Sequence, residues 1–261
     1  MRISITPLIL TFNEAPNIRR TLEGVSWAQD IVVLDSISDD ETLAHCSEFS
    51  QVRVVQRKFD NHQMQWSYGL QETGINSEWV LALDADYVLT PELIEELQAL
   101  QPPSGINGYR ANFVYCINGK PLRGSAYPPV TVLYRRDQAV YVQDGHTQRI
   151  AVTGEIGDLK AHILHDDRKP LERWLRSQIY YTQLEARKFS ESDAPLKLPD
   201  RIRKMRYFAP FLVFIYCLLV QGNILDGRAG IFYAYQRMLA ETLLSLHLLD
   251  EDVQTQEKPI V

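Results

Sequence analysis

The chain has 261 residues, of which 45% are hydrophobic, and it carries 27 Lys and Arg against 33 Asp and Glu. This length and composition are typical of one large globular domain, or of one domain with a sizeable appendage. The net charge of −6 argues against a nucleic-acid-binding protein. Three cysteines without CxxC spacing indicate core thiols in a reducing compartment, and with no secretory signal evident we expect a cytoplasmic location.

The charge is unevenly distributed along the chain. Residues 168–237 contain 13 Lys and Arg against 6 Asp and Glu, so this stretch is +7 and the remainder is −13. A basic C-terminal part on an acidic body suits contact with an anionic membrane surface or a lipid-linked substrate.

The first hundred residues alternate between strand and helix patterns. The predicted strands are Ile3–Leu10, Ile31–Leu34, Val52–Val55 and Val80–Leu83; the predicted helices are Asn17–Val25, a helix opened by the Ser38-Asp39-Asp40-Glu41 capping box and ending near Phe49, and Gln63–Thr73. Repeated βα units of this length predict an α/β domain whose mostly parallel sheet is flanked by helices. Ligands of such sheets bind beyond the carboxyl ends of the strands.

Acidic and amide side chains follow three of these strands. Asp84 and Asp86 point to the same side if the strand continues, and two carboxylates about 5 Å apart repel by roughly 3 kcal/mol. Such a pair favours Mg²⁺ or Mn²⁺, whereas the alternative is a polar strand end before the next helix. Because Asn13 and Asp35 fall at the same predicted edge, we favour the metal site.

Beyond Leu100 the pattern changes to β segments joined by Gly and Pro turns. Strands are predicted at Tyr109–Tyr115, Thr131–Arg135 and Ala139–Val142, followed by a long amphipathic helix at Leu171–Phe189 and a polar linker at Ser190–Pro199. We therefore predict a nucleotide-binding and catalytic domain over residues 1–165 and a helical C-terminal region over residues 166–261.

A basic stretch at Arg201–Arg206 precedes the apolar run Phe208–Val220. Thirteen helical residues span about 20 Å, which is short of the roughly 30 Å hydrocarbon core of a bilayer. The pattern favours an interfacial membrane anchor, and the alternatives are a buried core helix or a homodimer helix.

An ordered set of short motifs resembles the inverting family 2 glycosyltransferases of the GT-A fold. The closest likeness is to the bacterial branch that adds sugars during lipopolysaccharide core assembly. The matching pieces are Thr11-Phe-Asn-Glu14, Val33-Leu-Asp-Ser36, Phe59-Asp60, Gln65, Trp79–Asp86, Gly108-Tyr-Arg110, Tyr127-Pro-Pro129, Leu133-Tyr-Arg-Arg136 and Gly222-Asn-Ile-Leu-Asp-Gly227.

The resemblance implies transfer of a sugar from a nucleotide-sugar donor, such as UDP-glucose, to a glycan or lipid-linked acceptor of the cell envelope. It implies donor binding by the residues at the matching positions, which are Thr11, Asn13, Glu14, Asp35, Asp60, Gln65 and Asp84. Asp86 and Asp84 match the Asp-x-Asp motif that holds Mn²⁺ or Mg²⁺ on the sugar diphosphate. The enzyme would then work on the inner face of the cytoplasmic membrane.

An inverting transfer needs a base that takes the proton of the acceptor hydroxyl. Asp144 is our first candidate, and His146 is the second or a metal ligand, because the two side chains share a side if the segment is extended. The alternative is that Asp144-Gly145 is a hairpin turn.

Four further residues are candidates for phosphate or metal contacts. His165 could add a third metal ligand or, with Arg168, a diphosphate contact; the slightly favoured alternative is a helix cap with a solvated charge run. Arg135 and Arg136 are candidates for an anionic acceptor phosphate, although one of them is expected to be a surface charge.

The sequence departs from the family pattern at three positions. Tyr87 stands where Glu is common after the second Asp, Gln65-Trp66-Ser67 lacks the Lys of a Gln-Lys-Asn stretch, and His146 is followed by Thr147 instead of Glu. Two alternative functions remain. A sugar nucleotidyltransferase normally has a Gly-rich loop bearing Lys or Arg after the first strand, which is absent here. A non-catalytic, membrane-associated scaffold would not need the intact Asp84 and Asp86.

Overall fold

The computed structural model describes residues 3–125, 127–144, 147–191, 201, 203 and 205–256. It divides into two compact units. The sheet unit consists of Met1–Pro121 and Ala126–Lys169, and the helical unit consists of Leu122–Ser125 and Pro170–Val261. The boundary after Lys169 lies four residues beyond the division that we expected after residue 165.

The sheet unit contains eleven strands and four α-helices within its described residues. In chain order they are β1 (Ile5–Thr11), α1 (Ile18–Val25), β2 (Ile31–Asp35), α2 (Thr42–Ser47), β3 (Val52–Gln56), α3 (His62–Glu72), β4 (Trp79–Asp84), β5 (Tyr87–Leu89), α4 (Pro91–Ala99), β6 (Ile106–Ile117), β7 (Lys120–Pro121), β8 (Val130–Arg135), β9 (Ala139–Asp144), β10 (Thr147–Val152) and β11 (Glu155–His165).

Nine of these strands form one sheet in the order β3-β2-β1-β4-β8-β6-β11-β5, with β7 paired to β6. Strands β1 to β4 are parallel to one another, and β6 is parallel to β11. Strand β8 runs antiparallel to β4 and β6, and β5 runs antiparallel to β11. Strands β9 and β10 form a separate antiparallel ribbon.

Alternating residues of the central strands point into two hydrophobic cores. Ile9 of β1 packs in one core with Leu22 of α1, whereas its neighbour Leu8 packs in the other core with Trp66 and Leu70 of α3. Because successive strand residues face opposite sides, both faces of the sheet are covered by helices. The predicted α/β class, a parallel sheet core flanked by helices, is confirmed.

One predicted helix start is wrong. Helix α2 begins at Thr42, and Ser38 does not cap it. The Ser38 hydroxyl donates to Asp35 instead, and it accepts a hydrogen bond from the backbone N–H of Asn13 at 2.8 Å. The sequence has the residues of a capping box, but the buried Asp35 carboxylate, three residues before Ser38, is a stronger, charge-assisted partner for the Ser38 hydroxyl.

The helical unit contains α5 (Leu171–Glu191), α6 (Ala209–Ile215), a π-helical turn (Tyr216–Val220), a 3-10 turn (Asn223–Asp226) and α7 (Arg228–Gln256). A small core of Ala186, Phe189, Leu244 and Leu248 joins α5 to α7. No helix in the described part of the chain is both long and apolar enough to cross a bilayer. The long helix α7 was not predicted.

Candidate active site

The last residues of three parallel strands meet at one edge of the sheet. Thr11 ends β1 and pairs in register with Asp35, which ends β2. Asp84 ends β4 and pairs with Leu10 on the other side of β1. The parallel pairing of three strands that are separated in sequence therefore brings these polar side chains to a single edge, where ligands of open α/β sheets bind.

Asp35 is fully buried and organises this edge. Its carboxylate accepts hydrogen bonds from the Thr11 hydroxyl at 3.0 Å, from the Ser38 backbone N–H at 2.9 Å and from the Gln56 amide at 3.0 Å. An ionised carboxylate is an acceptor with about four lone-pair sites, so these donors and the Ser38 hydroxyl use most of its capacity. Asp35 thus fixes the loop after β2.

Asn13 adopts a left-handed backbone conformation, with φ of 55°. Asn and Asp tolerate this region better than other residues with a side chain. The Asn13 amide donates to Asp39 at 2.6 Å, and its carbonyl oxygen accepts from the Asp39 backbone N–H at 2.9 Å. These paired bonds tie the loop after β1 to the loop after β2.

A half-buried lysine lies beside the Asp-x-Asp motif. Lys169 Nζ is 2.6 Å from Glu14 Oε1, 3.4 Å from Asp167 Oδ1 and 3.8 Å from Asp86 Oδ2. The amide of Asn17 donates to both Glu14, at 2.8 Å, and Asp167, at 3.0 Å. The sequence analysis missed Lys169 and Asp167, because they lie more than 150 residues from Glu14 along the chain.

The charged groups around Lys169 shift the pKa values of the nearby carboxyl groups in different directions. Burial opposes ionisation of Asp86, but the charges of His165 and Lys169 outweigh burial and lower the pKa of the Asp86 carboxyl. Burial, and next the charge of Asp86, raise the pKa of Asp84. Burial also raises the pKa of Glu14 to about 7, against the opposing charge of Lys169. Asp86 is therefore the carboxylate that stays ionised.

His165 reaches the same site from β11. It pairs with Tyr87 across the β5–β11 ladder, and its Nε2 atom lies 3.4 Å from Asp86 Oδ2. The rings of Tyr87, Tyr115 and Tyr127 surround the imidazole at centroid distances of 5.3, 4.9 and 4.8 Å. Tyr87, which replaces the usual Glu of the motif, is buried and its hydroxyl hydrogen-bonds to that of Tyr127.

The donor set has the chemistry for a divalent cation but is incomplete. Asp86 Oδ1 is buried and has no hydrogen-bond donor among the described residues. Buried carboxylate oxygens normally have a partner, and a metal cation could be the partner of this one. Within the same residues, however, no three His, Cys, Asp or Glu side chains are arranged to hold a metal. A hard cation at Asp86 would therefore need further oxygen ligands, such as those of a diphosphate.

Asp60 lies on the loop after β3, and Gln65 lies near the start of α3, which follows that loop. Arg57 bridges them, because its guanidinium donates to Gln65 Oε1 and forms an ion pair with Asp60 at 2.7 Å. The Gln65 amide in turn donates to the Ser36 hydroxyl at 3.1 Å. These two predicted donor-binding residues are thereby linked to the end of β2, with Gln65 fully buried.

Arg135 and Arg136, the predicted contacts of an acceptor phosphate, do not lie at this edge. Arg135 pairs in register with Trp79, the first residue of β4, whereas Asp84 is the last. Trp79 and Asp84 are five residues apart along β4, which corresponds to about 17 Å. Arg135 forms an ion pair with Glu78 and stacks over the Trp79 ring at 4.8 Å, and Arg136 donates to the Ile75 carbonyl.

The run Asp166-Asp167-Arg168 is not a solvated charge run. Asp166 is buried, and it accepts from the Arg20 and Arg168 guanidinium groups and from the Gly119 backbone N–H at 2.8 Å. Arg168 pairs with Asp166, so the two charges hold each other at this position.

The two candidate bases lie at the β9–β10 ribbon. Asp144 is the last residue of β9 and pairs with Thr147, the first residue of β10, as expected of the hairpin alternative. Its side chain and the whole of His146 lie outside the described residues.

Comparison with known proteins agrees with this arrangement. The model of the family "Glycosyl transferase family 2" matches residues 8–147, which is more than half of the chain. An uncharacterized glycosyltransferase of Rickettsia felis is 30% identical over 259 residues, covering 92% of this chain and 90% of the relative. One of Rickettsia bellii is 34% identical over 95 residues, covering 36% of this chain and 31% of that relative. The chain belongs to glycosyl transferase family 2 and is a glycosyltransferase.

Solved structures with similar folds are distant in sequence. Staphylococcus aureus TarS 1-349 in complex with UDP-GlcNAc is 12% identical, with a TM-score of 0.49, over 97% of this chain and 92% of that one. Glucosyl-3-phosphoglycerate synthase from Mycobacterium tuberculosis, in complex with Mn²⁺, UDP and phosphoglyceric acid, is 14% identical, with a TM-score of 0.45, over 75% of this chain and 80% of that one.

Proposed function

We propose that this glycosyltransferase moves a hexose from a UDP-sugar, such as UDP-glucose, to a glycan or lipid-linked acceptor of the bacterial cell envelope, with inversion at the transferred carbon. The observation that carries the proposal is the carboxyl edge of the sheet in this family 2 glycosyltransferase. There Asp86, whose buried Oδ1 atom has no hydrogen-bond donor among the described residues, lies beside Asp84. The motifs that resemble the lipopolysaccharide core branch support the choice of acceptor.

Each residue of the edge has a definable task in this proposal. Asp35 holds the loops after β1 and β2 in place, so that Thr11 and Asn13 line the nucleoside. Asp86 and Asp84 would hold a divalent metal, Mn²⁺ or Mg²⁺, whose chemistry is to offset the charge that develops on the departing diphosphate. His165 orients Asp86 through its Nε2 contact.

Lys169 gives the site its own positive charge. The lysine that the family places after Gln65 is absent, and the half-buried Lys169 instead brings an ammonium group to 3.8 Å from Asp86. We propose that this ammonium contacts a phosphate oxygen of the bound donor. Burial makes such a charge-assisted contact stronger than the same contact in water.

The donor and metal assignments are tested by thermal unfolding with a panel of nucleotides, with and without Mn²⁺. We expect UDP or a UDP-sugar to stabilise the protein in the presence of Mn²⁺, by about 2.7 kcal/mol at 100 times its dissociation constant. Asp86→Asn should abolish this stabilisation, because it removes the charge that the cation needs. Asp158→Asn, a change at an exposed carboxylate of the same unit, is the matched control and should respond like the wild type.

Two results would count against the proposal. Absence of any response to nucleoside diphosphates would refute the UDP-sugar donor. Preference for a nucleoside triphosphate with release of pyrophosphate would instead indicate a sugar nucleotidyltransferase. Asp144→Asn tests the base separately: we expect kcat to fall by about 100-fold or more while UDP-dependent stabilisation persists.

A further inference from the structure

Helix α6 and the π-helical turn after it expose large apolar side chains in a regular stripe. The exposed positions come in adjacent pairs that recur every four residues: Tyr207 and Phe208, Phe211 and Leu212, Ile215 and Tyr216, and Leu219 and Val220. Their exposed fractions run from 45% to 71%. A four-residue recurrence places the pairs along one face of a helix.

The opposite face of the same segment is packed within the helical unit, and it includes the half-buried Phe214, whose ring lies 5.0 Å from that of Tyr235. Ala209, Pro210 and Cys217 are buried, and α6 packs against α7. A helix of a globular protein normally buries its large apolar residues and exposes polar ones. In this segment large apolar residues lie on both faces, so those of the stripe stay exposed although the other face is packed within the helical unit.

The apolar surface extends beyond α6. The 3-10 turn exposes Ile224 and Leu225, and the first turns of α7 expose Ile231, Phe232 and Tyr235, with exposed fractions from 39% to 70%. We call the eight residues of the stripe and these five the apolar face. Large exposed apolar patches mark sites of contact with a protein or a membrane.

The charges around the apolar face indicate which partner it meets. The sequence from Tyr207 to Leu225 contains no charged residue, and Arg206 and Arg228 lie at either side of it. The first acidic residue after it, Asp226, is buried and bound to Arg123 at 3.3 Å. A neutral apolar surface with a cationic rim matches the hydrocarbon boundary of a bilayer and its anionic headgroups.

A second copy of the chain fits the same surface less well. A two-fold interface brings identical rims together, so the basic residues of one copy would lie near those of the other. Like charges placed opposite each other cost binding energy and disfavour the contact. An anionic bilayer instead attracts the arginines on either side of the apolar face.

We propose that the apolar face is the surface by which the helical unit inserts into the headgroup region of an anionic membrane, lying in the interface and not crossing it. The inference rests on the proposed function in one respect, since a lipid-linked acceptor is presented at such a surface. Beyond the proposed function, the inference names the residues that enter the bilayer and the negative lipid charge that the surrounding arginines require.

The test is cosedimentation of the full chain with vesicles of phosphatidylglycerol and phosphatidylcholine, and with vesicles of phosphatidylcholine alone. We expect strong binding to the anionic vesicles that weakens with salt, and weak binding to the neutral ones. The double variant Phe211→Gln, Leu219→Gln should bind anionic vesicles about tenfold or more weakly, because two inserted apolar side chains are lost. Ile179→Gln, an exposed isoleucine on α5, is the matched control and should bind like the wild type.

Equal binding of the double variant and the wild type would overturn the proposal, as would a wild type that ignores both kinds of vesicle. A wild-type dimer that the double variant converts to monomers, without any vesicle binding, would show that a second copy covers this face. UDP-dependent stabilisation is measured on the same preparations. If it persists while vesicle binding is absent, the docking surface is wrong and the donor assignment is not.

Discussion

The active-site edge of the sheet unit and the apolar face of the helical unit depart from the usual burial pattern in opposite ways. At the edge, ionisable groups are largely shielded from water and hold one another: Asp86 is buried, and Glu14 and Lys169 are half-buried. On the apolar face, Phe211 and Leu219 are hydrophobic groups left in water. Globular folding explains neither arrangement, since buried charges and exposed apolar patches both cost free energy. Each departure is therefore a better guide to a binding surface than the well-packed hydrophobic cores of the sheet unit.

The largest expected effect tests the contact between α7 and the 3-10 turn, both of which carry residues of the apolar face. Gly230 lies in the first turn of α7, where an added Cβ would lie 1.8 Å from the Asn223 backbone oxygen. Gly230→Ala must push the 3-10 turn away from α7, and we expect the free energy of unfolding to fall by about 3 kcal/mol or more in urea denaturation. In Gly24→Ala on α1, the new Cβ meets Leu89 at an ordinary 3.4 Å, so a change below about 1 kcal/mol is expected. Equal effects would show that the close approach at Gly230 is not essential.

The next effect tests the buried charges of the edge. Lys169→Met removes the ammonium group that Glu14, Asp86 and Asp167 share, and leaves three carboxylates facing one another. We expect a loss of about 2–3 kcal/mol in the free energy of unfolding, measured by urea denaturation at pH 7.5. Lys160→Met, at an exposed lysine on β11, should change it by less than about 0.5 kcal/mol. A Lys169 variant as stable as this control would mean that the carboxylates need no cation from the protein.

The smallest effect concerns pH. The pKa of Glu14 is raised by burial to about 7, so the folded protein holds a proton there that the unfolded chain releases above about pH 4.5. Stability contributed by this proton is fully present below pH 4.5 and is lost as the pH rises through 7. Glu14→Gln removes the titration. Relative to the wild type, the variant should gain about 1–2 kcal/mol of unfolding free energy between pH 5 and pH 8. Parallel pH profiles of the two proteins would contradict a raised pKa at Glu14.

How well the sequence predicted the edge depended on where each residue lies. Asn13, Asp35, Asp84 and Asp86 directly follow strands with clear hydrophobic patterns, so their common edge could be expected from βα repetition alone. Arg135 was misplaced because the pattern of β8 reveals a strand but not its direction. Antiparallel pairing with β4 carries the end of β8 to the opposite edge of the sheet.

The remaining partners left no local pattern to find. Strand β11 alternates exposed charged residues with few buried ones, so its periodicity was weak, yet it delivers His165 to Asp86. The buried aromatic contacts of Tyr87 likewise come from residues 26 or more positions away. Helix α7 escaped prediction because its apolar residues are spread around the helix instead of along one stripe.

The sequence by itself determined the α/β class, the positions of the first four strands along the chain and the polar residues at their ends. It also determined the short apolar run in the C-terminal region. These follow from periodicity and spacing, which are local properties of the chain. Only the tertiary structure decided that Lys169 lies against Glu14 and Asp86, and that the apolar run turns its large side chains outward. Both depend on which distant segments pack together. Long-range contacts place Lys169 in the site, and packing of the other face of the apolar run against α7 leaves the stripe exposed.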